Sequence, residues 1–234
     1  MINRIFYIEG MLNLKNNIKR LLFIYKKCKT TGGNFFLVYS SYLYRKLKTR
    51  KNIIAHEKVC ITGLKNIEIE KGSFLEIGLK YVGFIHPNDN TLLNIRGKLH
   101  FKSSYSIGRG CRIDIGENAK VVFGKGGYTN SFTKFIISHG LTIGDNCIIS
   151  WDCQFLDDDF HKIQYEGKQE KVKEIKIGNN VWIGCGVKIY QGTIIPNNTV
   201  ISANSIVRGV FNEENTIILG NLAKVIKTNV SWNL

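Results

Sequence analysis

The densest chemistry in the chain is Asp157-Asp158-Asp159-Phe160-His161, three carboxylates followed at once by an imidazole. Imidazole has an unperturbed pKa near ~6.5, so a histidine can take a proton from a reacting hydroxyl at neutral pH. A carboxylate bonded to the other ring nitrogen would hold the tautomer and stabilise the imidazolium. If residues 157–161 run extended, alternation turns Asp157, Asp159 and His161 to one side, and either acid can be the orienting one. Two other readings compete: an exposed loop histidine beside an acidic run, and a metal site. For a metal, His139 is the other histidine at hand and no clear third joins it, so no resident metal is expected.

Such a loop is useful only on a rigid frame, and the flanking sequence supplies one. Stepping by six from Ile177 gives Ile183, Ile189, Ile195, Ile201 and Val207. Ile143, Ile149 and Phe155 keep the same step, as do Ile95, Phe101, Ile107 and Ile113. The last two series are in phase, since the interval from Ile113 to Ile143 is five steps of six. Two residues before many of these aliphatics stands a small or β-branched residue: Cys111, Cys147, Cys153, Val181, Val187, Thr193, Thr199 and Ser205. A period of six suits neither an amphipathic helix nor a simple alternating strand. It suits a solenoid whose short strands and tight turns stack into a continuous core. The step breaks between Phe155 and Ile177, where the acidic-histidine segment and the polar stretch Lys162 to Glu174 fall. An insertion in a solenoid projects as a loop, and loops on rigid scaffolds commonly carry function.

The segments Ile177-Gly178-Asn179-Asn180-Val181-Trp182-Ile183-Gly184 and Val200-Ile201-Ser202-Ala203-Asn204-Ser205-Ile206-Val207 resemble the hexapeptide-repeat acyltransferases. The resemblance is to the galactoside and maltose acetyltransferase branch and its surface-polysaccharide O-acetyltransferase relatives, over about residues 95–227. Gly220-Asn221-Leu222-Ala223 is similar to that branch's terminal Gly-Asn-Pro-Ala, with Leu222 in place of proline. The resemblance implies a left-handed parallel β-helix, a homotrimer with active sites between subunits, and acetyl-CoA as co-substrate without a permanently bound cofactor. It makes His161 the catalytic base, with Asp159 or Asp157 beside it, and sets Trp182 near the donor's pantetheine arm. Gly184, Ser202 and Ala203 match the small positions lining the donor groove. Arg208, Lys224 and Lys227 become partners for its phosphates, Arg208 standing one position before the family's usual lysine. His139 and Trp151 are candidates for lining the saccharide cleft.

The net charge of +15 is concentrated at one end: residues 1–52 hold twelve Lys or Arg against Glu9 alone. Leu14, Ile18, Leu21, Leu22, Tyr25 and Cys28 fall at helical spacing with Lys15, Lys19 and Lys26 around them, and Thr30-Thr31-Gly32-Gly33 reads as a break. A second helical pattern follows through Phe35, Tyr39, Tyr42, Leu43 and Leu47. The chain therefore divides into a basic helical segment, 1–52, and an all-β left-handed β-helix, 53–234, with a loop insertion at 156–176. The basic segment suits a cap on the open end of the solenoid, or peripheral contact with an anionic membrane. Nucleic-acid binding is not expected, since no nucleic-acid motif accompanies the charge. No apolar run is long enough to span a bilayer, and Glu9, Asn13 and Lys15 interrupt a signal-like core, so a cytoplasmic chain is expected. The six cysteines form no CxxC pair and read as reduced core thiols.

O-acetylation of a saccharide, in capsule or O-antigen biosynthesis, is the leading functional expectation. N-acetylation of a nucleotide-linked amino sugar is the alternative within the same chemistry. A β-helix serving only as a scaffold or binding module is the alternative outside it.

Overall fold

The computed structural model describes residues 2–161, 164, 166 and 173–233, with side chains from residue 17 onward. Most of the polar stretch Lys162 to Glu174, and the side chains of Leu14 and Lys15, lie outside the described residues.

The chain from Ile53 winds into a parallel β-helix with three sheets of nine, seven and six strands, called here the first, second and third sheets. Ile107, Thr129, Ile149, Ile183 and Ile201 stack in the first sheet. Ile113, Phe135, Phe155, Ile189 and Val207 stack in the second. Phe101, Phe123, Ile143, Ile177 and Ile195 stack in the third. All point inward and are buried, so the six-residue series is the core. The rings of Phe101 and Phe123 lie parallel at 5.1 Å, and those of Phe135 and Phe155 at 4.7 Å.

Through these coils the step of six holds at two corners of the prism and fails at the other. From Phe101 to Val207, every passage from the third sheet to the first, and from the first to the second, takes six residues. From second to third the chain uses ten residues after Ile113, eight after Phe135, twenty-two after Phe155 and six after Ile189. The expected phase between the two upstream series is therefore corrected. Ile113 and Ile143 are four strands apart, through Phe123, Thr129 and Phe135, because extra polar residues lengthen this corner.

The corners explain the Gly and Asn content. Gly110, Phe132, Asn146, Asp152, Asn180, Gly186, Gly192, Asn198 and Asn204 all adopt positive φ. Each directly precedes a small buried residue: Cys111, Thr133, Cys147, Cys153, Val181, Val187, Thr193, Thr199 or Ser205. The left-handed region favours Gly, then Asn and Asp, and a small side chain must follow where the backbone folds over the core. Burial pushes the Cys111 and Cys153 thiols up to about 12 and Cys147 to about 11, so these cysteines stay protonated and act as filler.

The basic segment forms a helical hairpin, α1 (Ile2–Thr31) and α2 (Phe35–Thr49). Gly32 turns the chain at φ +70°, and the Asn34 side chain accepts the Leu37 amide to cap α2. The expected cap on the open end is instead a cover on the outer surface of the first sheet. In Ile53-Ile54-Ala55 the outer two residues enter the solenoid core, whereas Ile54 joins Ile24, Cys28, Val38, Tyr42 and Leu79 in a second cluster. Three consecutive apolar residues in a strand bury both faces, and the hairpin is what covers the outer one. Polar ties fix it: buried Arg109 donates to the Thr31 carbonyl at 3.1 Å, and Lys27 pairs with buried Glu76 at 2.8 Å. Buried His56, beside Arg109 and Glu57, is held neutral, its pKa brought down to about 4 by burial and then by the Arg109 charge.

Candidate active site

The lengthened second–third corner carries the acidic-histidine segment, and each of its three carboxylates is held by a different group. Asp157 is fully buried and accepts the backbone N–H groups of Ser138, His139 and Gly140, each at 2.7 Å. It thereby ties its own coil to the coil before it. Asp158 accepts from His139 Nε2 at 2.7 Å and from Lys173 Nζ at 3.4 Å. Burial works against the Asp158 charge, but the Phe160 amide, His139 and Lys173 outweigh it and hold its carboxyl down at about 2. Asp159 receives the Gln191 amide, and Arg208 stands 3.5 Å from it, so the following coils grip it.

His161 stands exposed beyond these anchors. Its Nδ1 lies 3.2 Å from the carbonyl oxygen of Asp159. A carbonyl can only accept, so Nδ1 is the donor in this contact. The expected alternation is therefore corrected: Phe160 adopts φ +58°, which turns the chain, so Asp157 faces inward while His161 faces out. No carboxylate bonds the imidazole among the described residues, and Nδ1 meets a backbone carbonyl instead. Asp158 and Gln191 are contacts the sequence reading missed. Asp158 was skipped because alternation placed it on the opposite side, and Gln191 lies a full coil away.

The other candidate residues gather elsewhere. Trp182, half-exposed on the outer surface of the first sheet, donates Nε1–H to Ser150 Oγ at 3.2 Å and packs 6.1 Å from the Trp232 ring. Trp232 in turn donates to the Asn180 carbonyl at 2.9 Å. Gly184 lies so close to the next coil that a Cβ there would meet Ala203 N at 2.7 Å. Ser202 and the exposed Ala203 follow on the same first–second corner. Trp151 is on this corner too, edge-on to Phe84 at 5.8 Å. Lys224 and Lys227 are exposed on the strand Ala223–Lys227, which pairs antiparallel with Ile217–Gly220. Arg208 sits apart from them, near Asp159 and over the Tyr190 ring at 5.9 Å.

Within one chain, then, His139, His161 and Arg208 occupy the second–third corner, while Gly184, Ser202, Ala203 and Trp151 occupy the first–second corner and Trp182 the first-sheet strand leading into it. A strand of the second sheet, two or three residues and so about 7–10 Å, separates the two groups.

Parallel strands wound as a three-sided solenoid, with a histidine-bearing loop at one corner, define the parallel β-helix class. The family described as bacterial transferase hexapeptide (six repeats) matches residues 174–209. A 24.8 kDa protein in the cps region of Klebsiella pneumoniae is 36% identical over 215 residues, covering 92% of this chain and 96% of the relative. WbbJ of Escherichia coli K12, whose name provisionally assigns it to O-acetyl transfer in lipopolysaccharide biosynthesis, is 30% identical over 143 residues, 56% of this chain and 72% of its own. The solved structure of the polySia specific acetyltransferase NeuO shares the left-handed β-helical fold, with a TM-score of 0.50 at 21% identity over 78% of this chain and 82% of that one. The chain belongs to the hexapeptide-repeat acyltransferase family, and it is an acetyltransferase. The scaffold-only alternative is set aside by that membership.

Proposed function

We propose that the protein moves the acetyl group of acetyl-CoA to a hydroxyl of a saccharide in surface-polysaccharide biosynthesis, with His161 as general base. The observation that carries this is the presentation of His161: exposed, with Nδ1 engaged by the Asp159 carbonyl, on a loop anchored through three successive carboxylates. In this reading Nε2 accepts the hydroxyl proton as the oxygen attacks the thioester carbonyl. The new C–O bond forms, the C–S bond breaks, and the imidazolium returns its proton to the departing thiolate. The relatives in a capsule (cps) region and in lipopolysaccharide biosynthesis support the saccharide acceptor.

Gly184, Ser202, Ala203 and Trp182 would line the pantetheine arm, with Lys224 and Lys227 facing the phosphates and His139 and Trp151 toward the acceptor. Arg208 is assigned to Asp159 instead, because that ion pair braces the catalytic loop. The separation of His161 from the donor-lining corner supports a homotrimer, in which an adjoining copy brings its first–second corner to this second–third corner. Acetyl-CoA as donor supports a cytoplasmic site of action. Among the described residues no helix is long and apolar enough to cross a membrane, and we place the protein at the inner membrane face through residues 1–52.

Mass spectrometry of capsular or O-antigen glycans incubated with the protein and isotopically labelled acetyl-CoA tests the reading. A labelled product that loses its acetyl group in mild base is the expected result. A base-stable product would mean an amide, and would replace O-acetylation with N-acetylation of an amino sugar.

A further inference from the structure

The α1–α2 hairpin buries one side and leaves the other bare. On α1, Ile18, Leu22 and Tyr25 form a stripe roughly a quarter-turn round the helix from buried Ile24 and Cys28 and are 50%, 49% and 51% exposed. On α2, Phe36, Leu43 and Leu47 stand opposite buried Val38 and Tyr42, with Leu47 85% exposed. Lys19, Lys26, Lys29, Lys48 and Arg50 are exposed around these stripes, and residues 17–52 contain no acidic residue. Apolar and aromatic side chains ringed by cations are what the interface of an anionic bilayer accepts.

Beside the hairpin is an open groove of about 400 Å³, lined by Phe23, Lys26, Lys27 and Thr30 of α1 and by Leu79, Lys80 and Tyr81. Lys27 is already paired with Glu76. Lys26 and Lys80 have no carboxylate within ion-pair distance among the described residues, and Lys80 instead lies 3.3 Å above the Tyr128 ring. Burial lowers the Lys80 pKa, with Glu76 opposing and Lys27 adding to that shift. A groove lined by these lysines together with Phe23, Leu79 and Tyr81 suits a phosphate ester that carries hydrocarbon.

We propose that the bare side of the hairpin docks on an anionic lipid bilayer and that the Lys26–Lys80 groove takes a lipid phosphate. This rests on the peripheral location given above and is independent of the acetyl-transfer chemistry. Docking would hold the solenoid beside a lipid-linked saccharide.

The test is cosedimentation of the full chain with vesicles of phosphatidylcholine, alone or mixed with phosphatidylglycerol. Binding only to the mixed vesicles is expected, falling about tenfold or more as salt rises well above physiological. Phe36→Glu with Leu47→Glu should abolish it. Lys26→Glu with Lys80→Glu should weaken it about tenfold, with CoA binding unchanged because these side chains lie away from the donor-lining residues. Equal binding to neutral vesicles, or none to either, overturns the proposal. So does light scattering showing that Phe36→Glu with Leu47→Glu splits the assembly, which would make this face a contact between copies. Retained CoA binding in any of these outcomes leaves the acetyl-transfer reading standing.

Discussion

Replacing His161 with Asn should lower kcat for acetyl transfer by about 100-fold or more while leaving CoA affinity near that of the parent protein. A hydroxyl is a poor nucleophile until its proton leaves, and in the proposed mechanism Nε2 of His161 takes that proton, Nδ1 being engaged by the Asp159 carbonyl. Asparagine keeps a polar side chain of similar reach but has no basic nitrogen, so binding survives and proton removal does not. The side chain is exposed, so the melting temperature should not move. Steady-state kinetics with a fixed saccharide, alongside calorimetric titration of CoA, separates the two effects. Unchanged kcat would remove His161 from the mechanism. A matching loss of CoA affinity would make it a binding residue.

Asp157→Ala should have the opposite profile, a large loss of stability. The carboxylate is wholly enclosed and satisfies three backbone donors at 2.7 Å. Alanine leaves Ser138, His139 and Gly140 without an acceptor, and each orphaned donor in a buried setting costs about 1–3 kcal/mol. A total of about 3–5 kcal/mol corresponds, for a chain of this size, to a drop of roughly 10 °C in melting temperature. Asparagine recovers part of this, since its carbonyl can accept but its amide turns a donor toward donors. Activity should fall as well, because the same hydrogen bonds position the corner that carries His139 and the start of the catalytic loop. Thermal unfolding of Asp157→Ala, Asp157→Asn and His161→Asn side by side checks the order. A melting temperature of Asp157→Ala equal to the parent's would mean that the carboxylate does not hold the corner.

These contrasting profiles show where the sequence was readable. Inward aliphatics announce themselves by period, because burial demands the same residue class at every strand, and Ile177 through Val207 could be followed step by step. Corner length leaves no such mark. Glu117 and Asn118 are polar residues in a polar turn, so the detour from Ile115 to Val121 was invisible and five steps were counted where the chain takes four strands. The acidic loop failed for a related reason. Alternation holds only while the backbone stays extended, and the positive φ of Phe160 ends it one residue before His161. Asp157 therefore lies inside the coil, and the pairing of Asp158 with His139 depends on how two coils stack. The hairpin's place was partly legible in Ile53-Ile54-Ala55, whose unbroken apolar run called for cover on its outer side.

A crystal structure of the assembled protein with CoA tests the central claim most directly. The expected result is the CoA sulfur within about 4 Å of His161 Nε2. The pantetheine arm should run along Gly184, Ser202 and Ala203 of an adjoining copy. CoA seated at another corner, with its sulfur remote from every His161, would contradict the account.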